Sequence, residues 1–337
     1  MEKTRKDKKR KFLKYAALAF LVVFFISGAL LFLSIWEKQQ GNFPVYDSEE
    51  IVVEFNGKDY VLKENVETFL VLGLDQTEET ASEDSYNSNR SADFLMLFVF
   101  DNNAKKFSAI QINRDTMASI NVLDIGGNKI NSVTKQIALA PTYGSSQRVR
   151  CRNTMDAVSA LLLDSKINHY VSLTMESVPI LNDLVGGVDV TVLHDFSGID
   201  DTLKKGQKVS LKGEQALRYV QSRSGLEEND NISRMERQKQ YISAFYNKAI
   251  ESAQSDEDFI VNAFSELSKQ VGSNKIIDSD RSVTQLQELA KKFTEYEFTG
   301  VQSIDGDSKK GEEFMEFYAD TDSIKKITIE NFYEIKK

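Results

Sequence analysis

The chain has 337 residues, 41% of them hydrophobic, enough for a membrane anchor and one large or two smaller domains with a full core. Net charge is −9, yet residues 1–14 carry eight Lys and Arg against Glu2 and Asp7, so the body is more acidic than the total; that argues against nucleic-acid binding, which calls for a basic face. A single cysteine, Cys151, excludes an internal disulfide, and two histidines, His169 and His194, argue against a histidine-rich metal site or a Ser-His-Asp triad.

After the basic tail of residues 1–14, residues 15–36 (YAALAFLVVFFISGALLFLSIW) run for 22 residues without a charge. A bilayer core needs about 20. Tyr15 and Trp36 stand where interfacial aromatics belong, and the positive flank is N-terminal. The positive-inside rule then keeps the N-terminus cytoplasmic and exports the body. A cleaved signal peptide has an apolar region of only about 7–15 residues before a small-residue cleavage site. The expectation is a single-pass transmembrane helix in the cell membrane, with an extracytoplasmic body close to lipid.

Residues 37–64 read as a polar linker followed by a hairpin, IVVEF and DYVLK around Asn56-Gly57. Residues 65–337 read as one domain. FLVLGLD is a buried strand ending in Asp75; residues 77–89 are a polar loop; DFLMLFVF is a second buried strand; Asp101-Asn102-Asn103 turns the chain; FSAIQIN leads a third strand into Arg114-Asp115. Such continuous apolar runs belong to strands covered on both faces. A helix is predicted from Asn153, with Met155, Val158, Leu161 and Leu162 on one side and Cys151 a small, partly buried filler before it. HYVSLT is a strand, MESVPILNDLV a helix stopped by Gly186-Gly187, and VDVTVL a strand. Helical periodicity returns over residues 256–271, 282–293 and 321–335, with strand patterns YEFTGVQSI and EFMEFYA between the last two. The alternation predicts a layered α/β/α domain around a central mixed sheet.

Residues 213–243 hold the densest arginine segment. Arg218 and Arg223 lie in or at the end of one helical pattern, an acidic loop follows through Asp230, and Arg234, Arg237 and Gln238 stand at i, i+3 and i+4 of a second helix. The guanidinium fork suits phosphate oxygens, so a pyrophosphate cradle is one reading and a solvated, neutralised helix face the other. Charge also gathers at strand ends: Asp75, Arg90 with Asp93, and Arg114 with Asp115. Two carboxylates across adjacent strand ends, Asp75 and Asp93, could hold one Mg²⁺ (or Mn²⁺) and leave room for phosphate oxygens. Each acid alone could equally be a turn or cap residue. Together they call for arginine- or metal-assisted phosphoryl chemistry. Asp115 could act as a general base, or orient Arg114, the role preferred here.

The ordered blocks GLD, SAD, INRDT, NDLVGGVDV, LKGEQALRYVQSR and DNISRMERQ resemble the LytR-CpsA-Psr family over residues 68–250. The resemblance implies a phosphotransferase moving an anionic glycopolymer, teichoic acid or capsular polysaccharide, from a polyprenyl-pyrophosphate carrier to peptidoglycan, assisted by Mg²⁺. It implies metal or pyrophosphate roles for Asp75 and Asp93, the Arg-Asp pair at Arg114 and Asp115, and pyrophosphate binding by Arg223, Arg234, Arg237 and Gln238, with Asp230 before them. It also implies an apolar slot for the lipid tail. Three guanidinium positions depart: Ser91 replaces an arginine with Arg90 one residue earlier, Thr77 replaces one shortly after Asp75, and Gln221 replaces the first arginine of the pattern that reads YVQSR here. Arg218 and Arg90 are the candidates to compensate. Lys129 and Asn131 resemble a Lys-Ile-Asn element. The alternatives are a polyprenyl-pyrophosphate hydrolase on the same site, and a non-catalytic envelope protein that binds lipid-linked precursors.

Overall fold

A computed structural model describes residues 52–74, 91–222, 231–256, 277–312 and 314–336, with 258, 259, 262, 263, 265 and 266. The expected transmembrane helix over residues 15–36, Asp75, the 77–89 loop, Arg90, Arg223 and Asp230 lie outside the described residues. Among the described residues, no helix is long and apolar enough to cross a membrane.

Strands β1 (Val52–Phe55) and β2 (Lys58–Leu62) form the predicted hairpin. Asn56 and Gly57 both take positive φ, the tight mirror-image turn that an Asn-Gly pair favours. Next come β3 (Val66–Leu74), β4 (Ala92–Asp101) and β5 (Lys106–Ile112), then a hairpin of β6 (Met117–Leu123) and β7 (Lys129–Gln136). Helix α1 (Gln147–Leu161), β8 (His169–Thr174), α2 (Ser177–Leu184), β9 (Val188–Thr191), β10 (Lys208–Leu211), α3 (Glu214–Gln221) and α4 (Asn231–Ser255) follow. The chain continues through β11 (Ile277–Ser279), α5 (Val283–Glu295), β12 (Glu297–Ser303), β13 (Gly306–Lys310), β14 (Met315–Ala319), α6 (Thr321–Phe332) and β15 (Tyr333–Ile335).

The central sheet has the order β11-β8-β3-β4-β5-β12 and is mixed: β3 runs parallel to β8 and antiparallel to β4, and β5 parallel to β12. Side chains alternate between its faces. Leu70, Leu72, Leu95, Leu97, Val99, Ile110 and Ile112 pack with α1 and α6, whereas Phe69, Phe100 and Phe107 pack with Leu289 of α5 and Tyr246 of α4. The α/β/α layering expected from the apolar strands is therefore present.

Two helix boundaries differ from expectation. Helix α1 starts at Gln147, because Ser146 accepts a cap bond from the Val149 amide, and Asn153 sits in its interior. Asn153 is buried there because its amide bonds outward, to the carbonyls of Asn121 (2.9 Å) and Tyr143 (3.3 Å). The final helical run stops at Phe332, since the last residues become β15 and pair with β2. Strands β6, β7 and β13 were not expected from the sequence, whereas β14 falls within the expected strand EFMEFYA.

Cys151 is fully buried, and burial pushes its thiol up to about 12. The thiolate, not the thiol, is the nucleophile. Folded protein at pH 8 is thus expected to leave a thiol-reactive chromogenic disulfide unreacted, and denatured protein to consume one equivalent. Rapid reaction of the native chain would contradict this burial.

Candidate active site

The C-terminal ends of β3, β5 and β8 and the N-terminal end of β4 meet at one edge of the sheet, where Leu74 pairs with both Ala92 and Thr174, and Leu95 pairs with Ile112. Ligands collect at such strand ends in α/β sheets. At this edge the β3–β4 register slips: Gly73 faces Phe94 and Leu74 faces Ala92, so Asp93 has no opposite residue. That is a β-bulge, and a bulge re-aims a side chain. Asp93 is buried and forms an ion pair through Oδ1 with Arg114 Nη1; Arg234 Nη1 of α4 lies 3.8 Å from the same oxygen. One carboxylate thus gathers two guanidiniums that are 120 positions apart in the chain.

The Arg114-Asp115 corner is pinned from several sides. Ala138 N–H donates to Arg114 O (3.0 Å) and Phe317 N–H of β14 to Asp115 O (2.9 Å). The Asp115 amide donates to Asn113 Oδ1 (2.9 Å), and Gln136 Nε2 donates to Asp115 Oδ1 (3.0 Å) and to Met315 O (2.7 Å). Asp115 Oδ1 also lies 3.7 Å from Arg114 Nε. These contacts hold Asp115 fast beside Arg114. They also bring the C-terminal β13–β14 hairpin, to which the sequence assigned no chemistry, against the site.

Arg237 is placed differently from Arg234, though both are buried on α4. Its guanidinium donates to Tyr219 O (2.9 Å) and to Ser222 O, the carbonyls that end α3, and stacks over the Phe196 ring at 5.5 Å. Its Nη1 is 3.4 Å from Nδ1 of His194, a buried ring that can accept there when its proton sits on Nε2. Arg237 therefore clamps the α3–α4 junction. Gln238 is also spoken for: Nε2 donates to Val220 O (3.2 Å) and Oε1 receives Gln111 Nε2 (3.4 Å).

Arg218, a candidate compensating arginine, is not brought to Asp93. Its Nε and Nη2 donate to Asp200 Oδ2 at 3.2 and 3.0 Å on a partly exposed flank. Burial pushes the Asp200 carboxyl up, but bonds from Thr202 and Arg218 outweigh it and hold the group below its ordinary value. Gln221 closes α3, and Lys129 and Asn131 are exposed near the tip of the β6–β7 hairpin.

An apolar cavity of about 120 Å³ adjoins this corner. Val71, Gly73 and Phe94 of the sheet, Leu181 of α2, and Tyr241, Ile242 and Phe245 of α4 are among its walls. Gln238 stands at its margin, one helical turn from Arg234. Gly73 keeps the sheet side open: a Cβ there would lie 2.9 Å from Phe94 Cβ.

A family model described as the LytR_cpsA_psr family matches residues 37–331. The chain belongs to the LytR-CpsA-Psr family. It is 23% identical over 332 residues to the polyisoprenyl-teichoic acid–peptidoglycan teichoic acid transferase TagU of Bacillus licheniformis, covering 97% of each chain. It is 30% identical over 227 residues to the TagU of Enterococcus faecalis, covering 66% of this chain and 65% of that protein. Among solved structures, gbs0355 of Streptococcus agalactiae superposes with a TM-score of 0.62 at 17% identity, covering 79% of this chain and 87% of that one. TagT bound to LI-WTA superposes with a TM-score of 0.57 at 19% identity, covering 86% and 97%. At these identities the likeness is one of fold, and the LytR-CpsA-Psr sheet with its flanking helices is what they share.

Sequence reasoning missed Gln111, Asn113, Gln136, His194 and Asn231 in and around the site. Asn113 directly precedes the Arg-Asp pair and Asn231 opens the arginine helix; those adjacencies were the available signals. Among the described residues, no three His, Cys, Asp or Glu side chains cluster closely enough to hold a metal ion by themselves. Asp93 brings one carboxylate to this corner, its Oδ1 facing both guanidiniums; Mg²⁺ needs only one or two protein carboxylates, the rest of its shell being water and substrate oxygens.

Proposed function

We propose that this protein transfers a teichoic-acid-type glycopolymer from a polyprenyl-pyrophosphate carrier to peptidoglycan. One observation carries the reading: a single face of α4 runs from Arg234 through Gln238 to Tyr241 and Phe245, at i, i+4, i+7 and i+11. The cationic corner and the apolar cavity therefore lie along one helix face, an order that matches a ligand with a diphosphate head and a hydrocarbon tail. The names of the TagU relatives, transferases of teichoic acid to peptidoglycan, support the same substrate pair. Residues 15–36 would anchor the body beside the lipid carrier.

In this reading an acceptor hydroxyl of peptidoglycan attacks the phosphorus that bears the polymer. A new O–P bond forms, the P–O bond of the diphosphate bridge breaks, and polyprenyl phosphate leaves while the hydroxyl proton passes to solvent. Arg114 and Arg234 neutralise charge on the phosphate oxygens, worth most in a water-poor corner. Asp93 holds the two guanidiniums to a common point, and Asp115 sets the angle of Arg114. Arg237 acts at one remove, by fixing α3 against α4. Mg²⁺, held by Asp93 with Asp75, would supply further charge neutralisation at the diphosphate.

The test incubates the full-length chain in detergent with Mg²⁺, a polyprenyl-pyrophosphate-linked glycopolymer and peptidoglycan fragments. A phosphodiester-linked product is expected; free phosphomonoester instead would indicate transfer to water. The cavity is probed by Ile242→Trp, which fills it. Affinity for geranylgeranyl pyrophosphate is expected to fall at least about tenfold, the scale of losing a buried prenyl contact, while inorganic pyrophosphate binds as before. Equal prenyl affinity in the variant would remove the cavity from the reading.

A further inference from the structure

The two guanidiniums of the corner come from different layers: Arg114 follows a sheet strand, Arg234 sits on a helix. Asp93 attracts both, but a single carboxylate does not dictate their separation. A buried amide pair does. Asn113 Oδ1 accepts twice, from the Asp115 amide at 2.9 Å and from Asn231 Nδ2. Asn231 Oδ1 in turn accepts from Arg234 Nη2. The Asn113 carbonyl also receives the Thr116 hydroxyl at 2.6 Å, which locks the residue into the turn after β5. Asn113 is 4% exposed and Asn231 9%, so water does not compete for these bonds.

We propose that Asn113 and Asn231 are positioning residues that set the distance between Arg114 and Arg234 for phosphoryl transfer. The inference rests on the function proposed above. Its logic is directional. At Asn113 both neighbours are donors, so only an oxygen is needed there. At Asn231 one neighbour is an acceptor and the other a donor, so a whole amide is needed. Both amide orientations follow from these partners, since reversing either would set donor against donor or acceptor against acceptor. The pair spans 118 positions and joins the strand-end turn to the first residue of α4. Misplacing a charged group by about 1 Å costs about 10²-fold in rate even when binding is little changed.

The experiment compares Asn113→Asp with Asn231→Asp in the full-length chain. Both changes are isosteric and each adds one carboxylate to the same corner, so charge alone predicts equal losses. The pair predicts unequal ones. Asn113→Asp still accepts both bonds and is expected to keep kcat within about tenfold. Asn231→Asp points an acceptor at Asn113 Oδ1 and is expected to lose about 10²-fold in kcat, with KM for the lipid-linked donor changed less than about threefold. A merely structural role would lower active fraction, and kcat with it, in step with thermal stability in both variants. Should Asn231→Asp fail to fold, Asn231→Ala removes the link without a new charge and is read the same way. Equal kcat losses in the two Asp variants, or an Asn231→Asp enzyme within about threefold of wild type, would overturn the pair alone. A wild type that transfers nothing would overturn the functional reading and the pair's role with it.

Discussion

Arg114→Ala is expected to lower the rate of glycopolymer transfer by about 10³-fold or more, the scale seen when an arginine at a transferring phosphoryl group is removed. The effect should fall on kcat. Arg234 remains beside Asp93, at 3.8 Å, so the site keeps one guanidinium for the ground-state diphosphate but loses the charge aimed from the strand end. Arg114→Lys should recover little, because an ammonium is a point charge and cannot reproduce a planar fork shared between substrate and two acids. Some stability goes as well, since truncation removes one partner of a buried pair with Asp93; with Arg234 still present, about 1–3 kcal/mol is expected. Initial rates with lipid-linked donor, taken beside a denaturation curve, separate the two losses. Transfer by Arg114→Ala within tenfold of wild type would place the chemistry elsewhere.

Arg237→Ala is expected to act through the fold. The side chain is fully buried and holds two main-chain carbonyls at the end of α3 while covering Phe196. Removing it strands those carbonyls and leaves a cavity among Phe196, Tyr219 and His194. The cost should be about 3–5 kcal/mol, as for breaking a buried charged network. Urea denaturation should show the midpoint fall with an unchanged slope. Lost activity should partly return at low temperature, where the folded fraction recovers. A variant as stable as wild type but inactive would instead make Arg237 a direct ligand of the diphosphate, the role expected from the family resemblance.

Most of the scaffold was legible in the chain. The apolar runs of β3, β4 and β5 can be buried only in a sheet covered on both faces, and that is where they lie. Asn56-Gly57 and Gly186-Gly187 marked a hairpin and a helix stop through their backbone freedom. Strands β7 and β13 were not legible, because they expose most of their residues and carry no apolar alternation; β6 alternates only briefly, over Ala118 to Val122, and β14 alone of the four matched an expected strand. Strand β14 was legible as a strand but its role was not: it supplies the Phe317 amide and the Met315 carbonyl that brace the Arg114-Asp115 corner.

Residue type and spacing alone determined that arginines and acids would cluster at strand ends and along one helix, because a period of 3.6 puts i, i+3 and i+4 together and an extended chain delivers its last residue to the sheet edge. Only the tertiary structure decided which guanidinium meets which partner. Arg234 and Arg237 share a helix face, yet one turns to Asp93 and the other to the end of α3, since what each finds there comes from remote segments. The aim of Asp93 came from a register slip that no local pattern encodes. The link between Asn113 and Asn231 exists because packing α4 on the sheet buries two amides that had to pair with each other once water was gone.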